Sequence, residues 1–151
     1  MCAIMNPPST YDVVLAPLDG SHLAAEALPA AASYAREAGC RLVLLHVLPP
    51  EDPAKPHGAR EHQVRHSQME AYLQGLKRVL GKTGGVEIET RVEDGEPVAK
   101  ILEVAHSLGR VILVLTDSGM SAVKYPDEPP SGTVYTRIAA DWNGPLLRVN
   151  V

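Results

Sequence analysis

Along the chain, short apolar runs alternate with longer segments in which apolar residues recur every three or four positions. The short runs are typical of strands, and runs without a polar side are typical of parallel strands buried on both faces. The segment from Val86 to Val92 alternates apolar and polar residues, which predicts one strand with a more exposed face. Five strands are predicted in all, at residues 12–17, 41–48, 86–92, 110–115 and 145–151.

The intervening segments predict four helices, at residues 22–38, 59–80, 98–108 and 133–141. Gly39 follows the first apolar stripe, in the position that is typical of a helix end. Pro29 lies inside the first helix, where it removes one backbone hydrogen bond. The alanine-rich surroundings favour a bend near Pro29 over a break.

Regular alternation of strands and helices predicts an α/β fold, a doubly wound five-stranded parallel sheet with helices on both faces. The long second connection and the more exposed third strand indicate that the chain first winds outward and then returns past the first strand. The predicted strand order is therefore 3-2-1-4-5. In such sheets ligands bind at the carboxyl ends of the strands where the winding reverses, here between the first and fourth strands.

Composition narrows the class of protein. The 151 residues suffice for one domain, assigned to residues 11–151, and residues 1–10 predict a flexible tail without the features of a secretory signal. A net charge of -4 argues against nucleic-acid binding. No apolar run approaches the roughly 20 residues of a membrane span, so no membrane association is expected. Cys2 and Cys40 are far apart, which favours reduced thiols and a cytoplasmic protein.

Candidate chemistry is concentrated where the first and fourth strands end. Asp19 follows the first strand and could bind ribose hydroxyls or a metal ion, or could simply stabilise a helix start. Gly119 and the Gly132–Thr133 turn could hold phosphate, because Thr133 opens a helix whose dipole favours anions. An ordinary glycine turn with a threonine cap is the alternative interpretation.

Other polar motifs do not support catalysis or metal binding. The run Gly81-Lys82-Thr83 resembles the end of a P-loop, but Leu76 stands where that motif needs glycine. His62 and His66 share a helix face that is best interpreted as solvated, because no further zinc ligand is evident. His46, within the apolar second strand, is interpreted as a core histidine. We therefore expect neither catalytic residues nor a metal site.

Four segments together resemble the universal stress protein family, along nearly the whole chain from Tyr11. They are Val13 to Ser21, Leu42 to Val47, Gly95 to Leu102, and Gly132 through to Val149. The resemblance implies the strand order given above and homodimers formed through the last strand. For one branch of the family it implies ATP or AMP, with or without Mg²⁺, bound where the winding reverses. The other branch binds no nucleotide.

The nucleotide-binding branch resembles Gly-x-x-Gly, nine further residues, and then Gly-Ser or Gly-Thr. This chain has Thr116 in place of the first glycine and twelve residues, 120–131, in place of nine. The longer loop costs only about 0.3 kcal/mol in closure entropy. A β-branched residue costs on the order of 1–2 kcal/mol where a positive φ is needed. The resemblance implies nucleotide-binding residues at Pro17, Leu18, Asp19, Val47, Val92, Gly119, Gly132, Thr133 and Val134.

The resemblance also implies different roles for these positions. Asp19 is expected near the ribose, and Val47 and Val92 are expected beside the adenine. The backbone N–H groups of Thr133 and Val134 are expected at the phosphates. Lys124, in the longer loop, is a candidate for replacing a phosphate contact that the missing glycine would have made.

Two functions from different classes follow from these observations. The favoured one is a cytoplasmic stress-response protein that binds an adenine nucleotide and regulates rather than catalyses, with slow ATP hydrolysis left open. The alternative is a nucleotide-free dimeric interaction module of the same fold. An adenylate-transferring enzyme is disfavoured, because the Ser-Gly-Gly and His-x-Gly-His loops of such enzymes are missing.

The last strand places Leu147, Val149 and Val151 on one face, which favours a covered edge.

Overall fold

The computed structural model describes residues 11–18, 25–50, 58–82, 84–116 and 134–149 of the chain. The elements in chain order are β1 (Val13–Leu18), α1 (Leu28–Ala38), β2 (Arg41–Leu48), α2 (Gly58–Gly81), β3 (Ile88–Asp94), α3 (Pro97–Ser107), β4 (Val111–Thr116), α4 (Val134–Asp141) and β5 (Leu146–Val149). The strands form one sheet in the order β3-β2-β1-β4-β5, and all four neighbouring pairs are parallel. The predicted fold class and strand order are confirmed.

The sheet separates two layers of helices, because successive side chains of a strand point to opposite faces. On one face, Val14 and Leu44 pack in a buried cluster with α1 and α2, which contribute Ala31 and Leu73 among others. On the other face, the buried cluster contains Leu15, Leu45 and Leu113 of the strands. Its helical members come from α3 and α4: Val98, Ile101, Val104, Ala105 and Ile138. Both faces of the three central strands are therefore buried, as their unbroken apolar runs predict.

The described part of the predicted first helix is divided close to Pro29. Regular helix starts at Leu28, with Pro29 in its first turn, where its fixed φ fits the helical backbone. Ala25 and Glu26 are helical as well, and the hydrogen-bond pattern is interrupted at Ala27, whose dihedral angles stay right-handed helical. The described segment is therefore not one straight, fully hydrogen-bonded helix. The predicted residues 22–24 lie outside the described part.

Strand boundaries move by one or two residues from the predicted ones. The third strand, expected at residues 86–92, occupies Ile88–Asp94, because Glu93 and Asp94 continue the pairing with Val47 and Leu48. Because Glu93 and Asp94 are polar, the hydrophobic pattern did not predict that the strand continues through them. The last strand is described only over Leu146–Val149, so the expected contribution of Val151 lies outside the described residues, as does the tail 1–10.

Candidate functional site

The pairing between β1 and β4 stops before either strand ends. β1 pairs with β2 over its full length, as far as Leu18 opposite His46. Its pairing with β4 ends at Leu15 opposite Leu113, although β1 continues to Leu18 and β4 to Thr116. The last three residues of each strand are therefore neighbours without a ladder between them. This is the carboxyl edge at which the winding of the sheet reverses, where α/β folds bind ligands.

Pro17 gives a physical reason for the divergence. The N–H of Val13 donates to the carbonyl oxygen of Arg110 at 3.3 Å, so this residue directs its backbone toward β4. Residues of a parallel strand alternate in this respect, so Pro17 faces β4 as well. Because proline has no N–H, the ladder to β4 cannot continue through this position. Pro17, which the family resemblance matches to a nucleotide-binding position, is thus also the residue at which pairing to β4 cannot continue.

His46 anchors the opposite side of β1. Its imidazole is buried, and Nδ1 lies 2.9 Å from the carbonyl oxygen of Leu18. A carbonyl oxygen can only accept, so Nδ1 carries the proton and donates. The interpretation of His46 as a core histidine is confirmed. The bond also fixes Leu18, the last residue of β1.

The two valines expected beside the adenine lie on opposite faces of the sheet. Val47 is buried in the cluster beneath α3 and α4. Val92 pairs with His46 and packs against the cluster beneath α1 and α2. One ligand above one face would reach the side chain of Val47 but not that of Val92. The sequence pattern could not predict that the two valines lie on opposite faces, because the register between β2 and β3 decides which face each residue takes.

The remaining expected positions divide between described and undescribed segments. Pro17 and Leu18 are buried at the end of β1, and the backbone of Val134 begins α4. Asp19, Gly119, Lys124, Gly132 and Thr133 lie outside the described residues. The structure therefore brings Pro17, Leu18 and Val47 to the same edge of the sheet. Thr116, in place of the motif glycine, is the last residue of β4 and pairs with Val149.

Charged side chains that sequence reasoning missed lie at this edge, on the face of α3 and α4. Glu96 caps α3, with Oε2 accepting from the N–H of Ala99 at 2.7 Å. Its other oxygen, Oε1, lies 3.6 Å from Nη1 of Arg137, in the first half of α4. The Glu96–Pro97 sequence is a recognisable helix start. The partner Arg137 could not be found from sequence because it belongs to a separate element.

His62 has a partner rather than a metal ion's ligand set around it. Its Nε2 lies 3.0 Å from Oδ1 of Asp94, at the end of β3, and its ring centroid is 6.5 Å from that of His66. Within the described ranges, no three His, Cys, Asp or Glu side chains are grouped so that they could hold a metal ion. The helices of those ranges also include none that is long and apolar enough to cross a membrane.

Fold and edge together define a doubly wound α/β domain in which the winding reverses between the carboxyl ends of β1 and β4. The family model described as the universal stress protein family matches residues 10–126. The chain belongs to the universal stress protein family, as its sequence motifs predict.

Curated relatives agree with this membership. The chain is 29% identical over 149 residues to universal stress protein YxiE of Bacillus subtilis (strain 168), covering 92% of this chain and 99% of that protein. It is also 29% identical over 118 residues to a putative universal stress protein of Staphylococcus haemolyticus (strain JCSC1435), covering 76% of this chain and 72% of the relative.

Solved structures show the same fold. A universal stress protein family member from Burkholderia pseudomallei superposes with a TM-score of 0.68 at 27% identity, covering 95% of this chain and 98% of that one. A universal stress protein in complex with cAMP gives 0.71 at 21% identity, covering 93% and 97%. One from Archaeoglobus fulgidus in complex with dAMP gives 0.63 at 19% identity, covering 93% and 98%.

Proposed function

We propose that this protein binds an adenine nucleotide, ATP or AMP, in the crevice between β1 and β4, and that it acts as a stress-response regulator rather than as an enzyme. The observation that supports this most directly is the end of pairing at Leu15 and Leu113, which leaves the carboxyl edge open. Structural relatives in complex with cAMP and dAMP make an adenine nucleotide the preferred ligand class.

The proposed arrangement uses one face of the sheet. Val47, which packs beneath α3 and α4, would contact the base. The N-terminus of α4 begins beside the same edge, so the backbone N–H groups of Thr133 and Val134 would meet phosphate. Asp19 would accept hydrogen bonds from the ribose. Bound Mg²⁺, where present, would neutralise phosphate charge, and Lys124 is a further candidate cation.

A thermal-shift series tests the proposal. Ligand at a hundred times its dissociation constant should stabilise the folded protein by about 2.7 kcal/mol, which is a readily measured rise in melting temperature. The series uses ATP, ADP and AMP at millimolar concentration with and without Mg²⁺, and native mass spectrometry asks whether nucleotide co-purifies. Gly132→Leu should abolish the shift, because a side chain there would occupy the phosphate turn. Gly75→Leu is the matched control, since a Cβ at Gly75 meets nothing within 4 Å.

The alternative is a nucleotide-free dimeric interaction module. Two observations favour this module over the adenylate-transferring enzyme considered above. Thr116 replaces the motif glycine, and β5 is an apolar strand at the edge of the sheet. No rise in melting temperature with any nucleotide, together with native protein free of nucleotide, would select this alternative.

Homodimerisation through β5 belongs to both functions. The two edge strands differ in character: β3 carries Glu89, Arg91 and Glu93, whereas β5 begins Leu146-Leu147. Charged side chains discourage edge-to-edge pairing, and an apolar edge invites a partner. A second copy of the chain is the proposed partner. The cytoplasmic location expected from the sequence stays a prediction, for which cell fractionation is the test.

A further inference from the structure

Two helix N-termini lie next to each other at the carboxyl edge. Helices α3 and α4 pack on the same face, where Ile138 shares a buried cluster with Val98 and Ile101. Each helix follows the carboxyl end of a strand, so both begin at the same edge of the sheet. A helix N-terminus carries roughly half a positive charge. The two ends therefore favour an anion on this side of the crevice.

Glu96 and Arg137 connect these two helix ends. One carboxylate oxygen of Glu96 caps α3 through the N–H of Ala99, and the other lies 3.6 Å from Nη1 of Arg137. The capping bond fixes the carboxylate of Glu96 at the N-terminal end of α3. The guanidinium is consequently held at the level of the helix ends, although its own Cα lies further along α4. Both side chains are about 40% exposed, 39% for Arg137 and 41% for Glu96, so the guanidinium can be reached from solvent.

The four groups named above, two helix ends and two side chains, have a positive sum. Two helix ends contribute roughly +0.5 each, Arg137 contributes +1 and Glu96 contributes -1, which leaves about +1. Glu96 therefore orients the arginine without cancelling the field. Guanidinium is also the side-chain cation best matched to phosphate, because its planar donors can contact two oxygens at once.

We infer that Arg137 contacts the phosphate group of the bound nucleotide and that Glu96 is a positioning residue that holds Arg137 for this contact. The inference rests on the proposed function, since it names a further residue of that site. It makes the site selective for phosphorylated ligands, so AMP should bind more tightly than adenosine.

Titration calorimetry with AMP and with adenosine tests the role of Arg137. In Arg137→Met, which keeps most of the aliphatic stem, the dissociation constant for AMP should rise about tenfold while that for adenosine is unchanged. Arg137→Lys should recover part of the loss. Arg110→Met is the matched control, because it removes an arginine and its 3.0 Å ion pair with Asp12 at the opposite edge of the sheet. This control has the same net charge as Arg137→Met and should bind AMP normally.

A second variant tests the positioning role. Glu96→Gln should weaken AMP binding about threefold and leave adenosine binding unchanged, because Arg137 loses its anchor. Tighter AMP binding by Glu96→Gln would show that the carboxylate competes with phosphate and would overturn the positioning role. Wild-type AMP affinity in Arg137→Met, or an equal loss for adenosine, would overturn the phosphate contact while leaving the nucleotide site intact. If the wild-type protein binds neither ligand, the proposed function fails and the inference fails with it.

Discussion

At the scale of single residues, Pro17 has the largest effect on the candidate site. It is buried within β1 and pairs with Leu45 of β2, yet it offers no N–H on the side of β4. The loss of one donor ends a ladder that the adjacent apolar residues would otherwise extend. The absence of this one backbone donor therefore accounts for the end of the β1–β4 ladder at Leu15 and Leu113.

Restoring the donor should close the edge. In Pro17→Val, we expect the β1–β4 ladder to lengthen, the amide introduced at position 17 to be protected from hydrogen exchange, and AMP affinity to fall about tenfold, equivalent to one net hydrogen bond. Exchange measured by NMR and binding measured by calorimetry give independent readouts. Pro49→Val, just beyond the end of β2, adds a donor outside the ladder and should change neither. A rapidly exchanging amide at position 17 would show that the strands diverge for another reason.

The sequence predicted what a residue is surrounded by more reliably than which residue it contacts. The apolar neighbours of His46 indicated burial, and the structure agrees. Its acceptor, the carbonyl of Leu18, could not be predicted because the contact depends on the β1–β2 register. The same limit applies to Val47 and Val92, which look equivalent in sequence and lie on opposite faces.

At the scale of elements, α1 shows how proline placement depends on where a helix begins. The hydrophobic pattern treats Pro29 as interior, because apolar residues continue on both sides of it. The structure places Pro29 in the first turn of the regular helix, where its fixed φ matches the helical backbone. Hydrophobic periodicity predicts that a helix is present but not where it begins and ends, since an end depends on local hydrogen bonds rather than on hydrophobic spacing.

The position of Pro29 in the helix decides whether its replacement raises or lowers the free energy of unfolding. Pro29→Ala should destabilise the protein by up to about 1 kcal/mol, because the unfolded chain gains conformational freedom. An interior proline would behave in the opposite way, and its replacement would stabilise the helix by about 3 kcal/mol. Urea unfolding measures the difference. Ser33→Pro, in the middle of α1, provides the comparison and should cost about 3 kcal/mol or more.

At the scale of the whole molecule, the parallel register of β5 determines which of its backbone groups bond to β4 and which are directed away from the sheet. The N–H of Leu113 donates to the carbonyl oxygen of Pro145, and Leu113 pairs with Leu146. By the alternation of a parallel ladder, Leu147 and Val149 bond inward to β4, while Leu146 and Arg148 direct their backbone groups outward. The side chains of Leu147 and Val149 also pack on the core beneath α1 and α2. Deleting this strand would therefore remove core contacts as well as the edge.

A proline on the outward side distinguishes the two effects. Arg148→Pro removes an outward N–H and should convert the proposed homodimer into a folded monomer, because edge pairing is lost while β4 pairing is kept. Sedimentation velocity measures the mass, and circular dichroism confirms the fold. Leu147→Pro removes an inward donor and should destabilise the monomer itself. A variant Arg148→Pro that sediments as a dimer would exclude β5 as the interface.

Strand order was the part of the architecture that the sequence determined most fully. Regular alternation required parallel strands with helical crossovers, and the partly polar β3 required an edge. The apolar run of β1 required a neighbour on each side. For residues 117–133, which lie outside the described part of the chain, the sequence offers no such constraint, because prolines and glycines specify local turns without specifying what packs against them.

The central position of β1 has a consequence for synthesis of the protein. One neighbour, β2, emerges from the ribosome soon after β1, but the other, β4, is completed only at Thr116, roughly a hundred residues later. At 5–20 residues per second, the second edge of β1 waits about 5 to 20 seconds for its partner. During that interval a wholly apolar strand is half paired, and Pro17 removes one donor from its open edge. The proline that ends the β1–β4 ladder in the finished protein also makes the unfinished one a poorer template for aggregation.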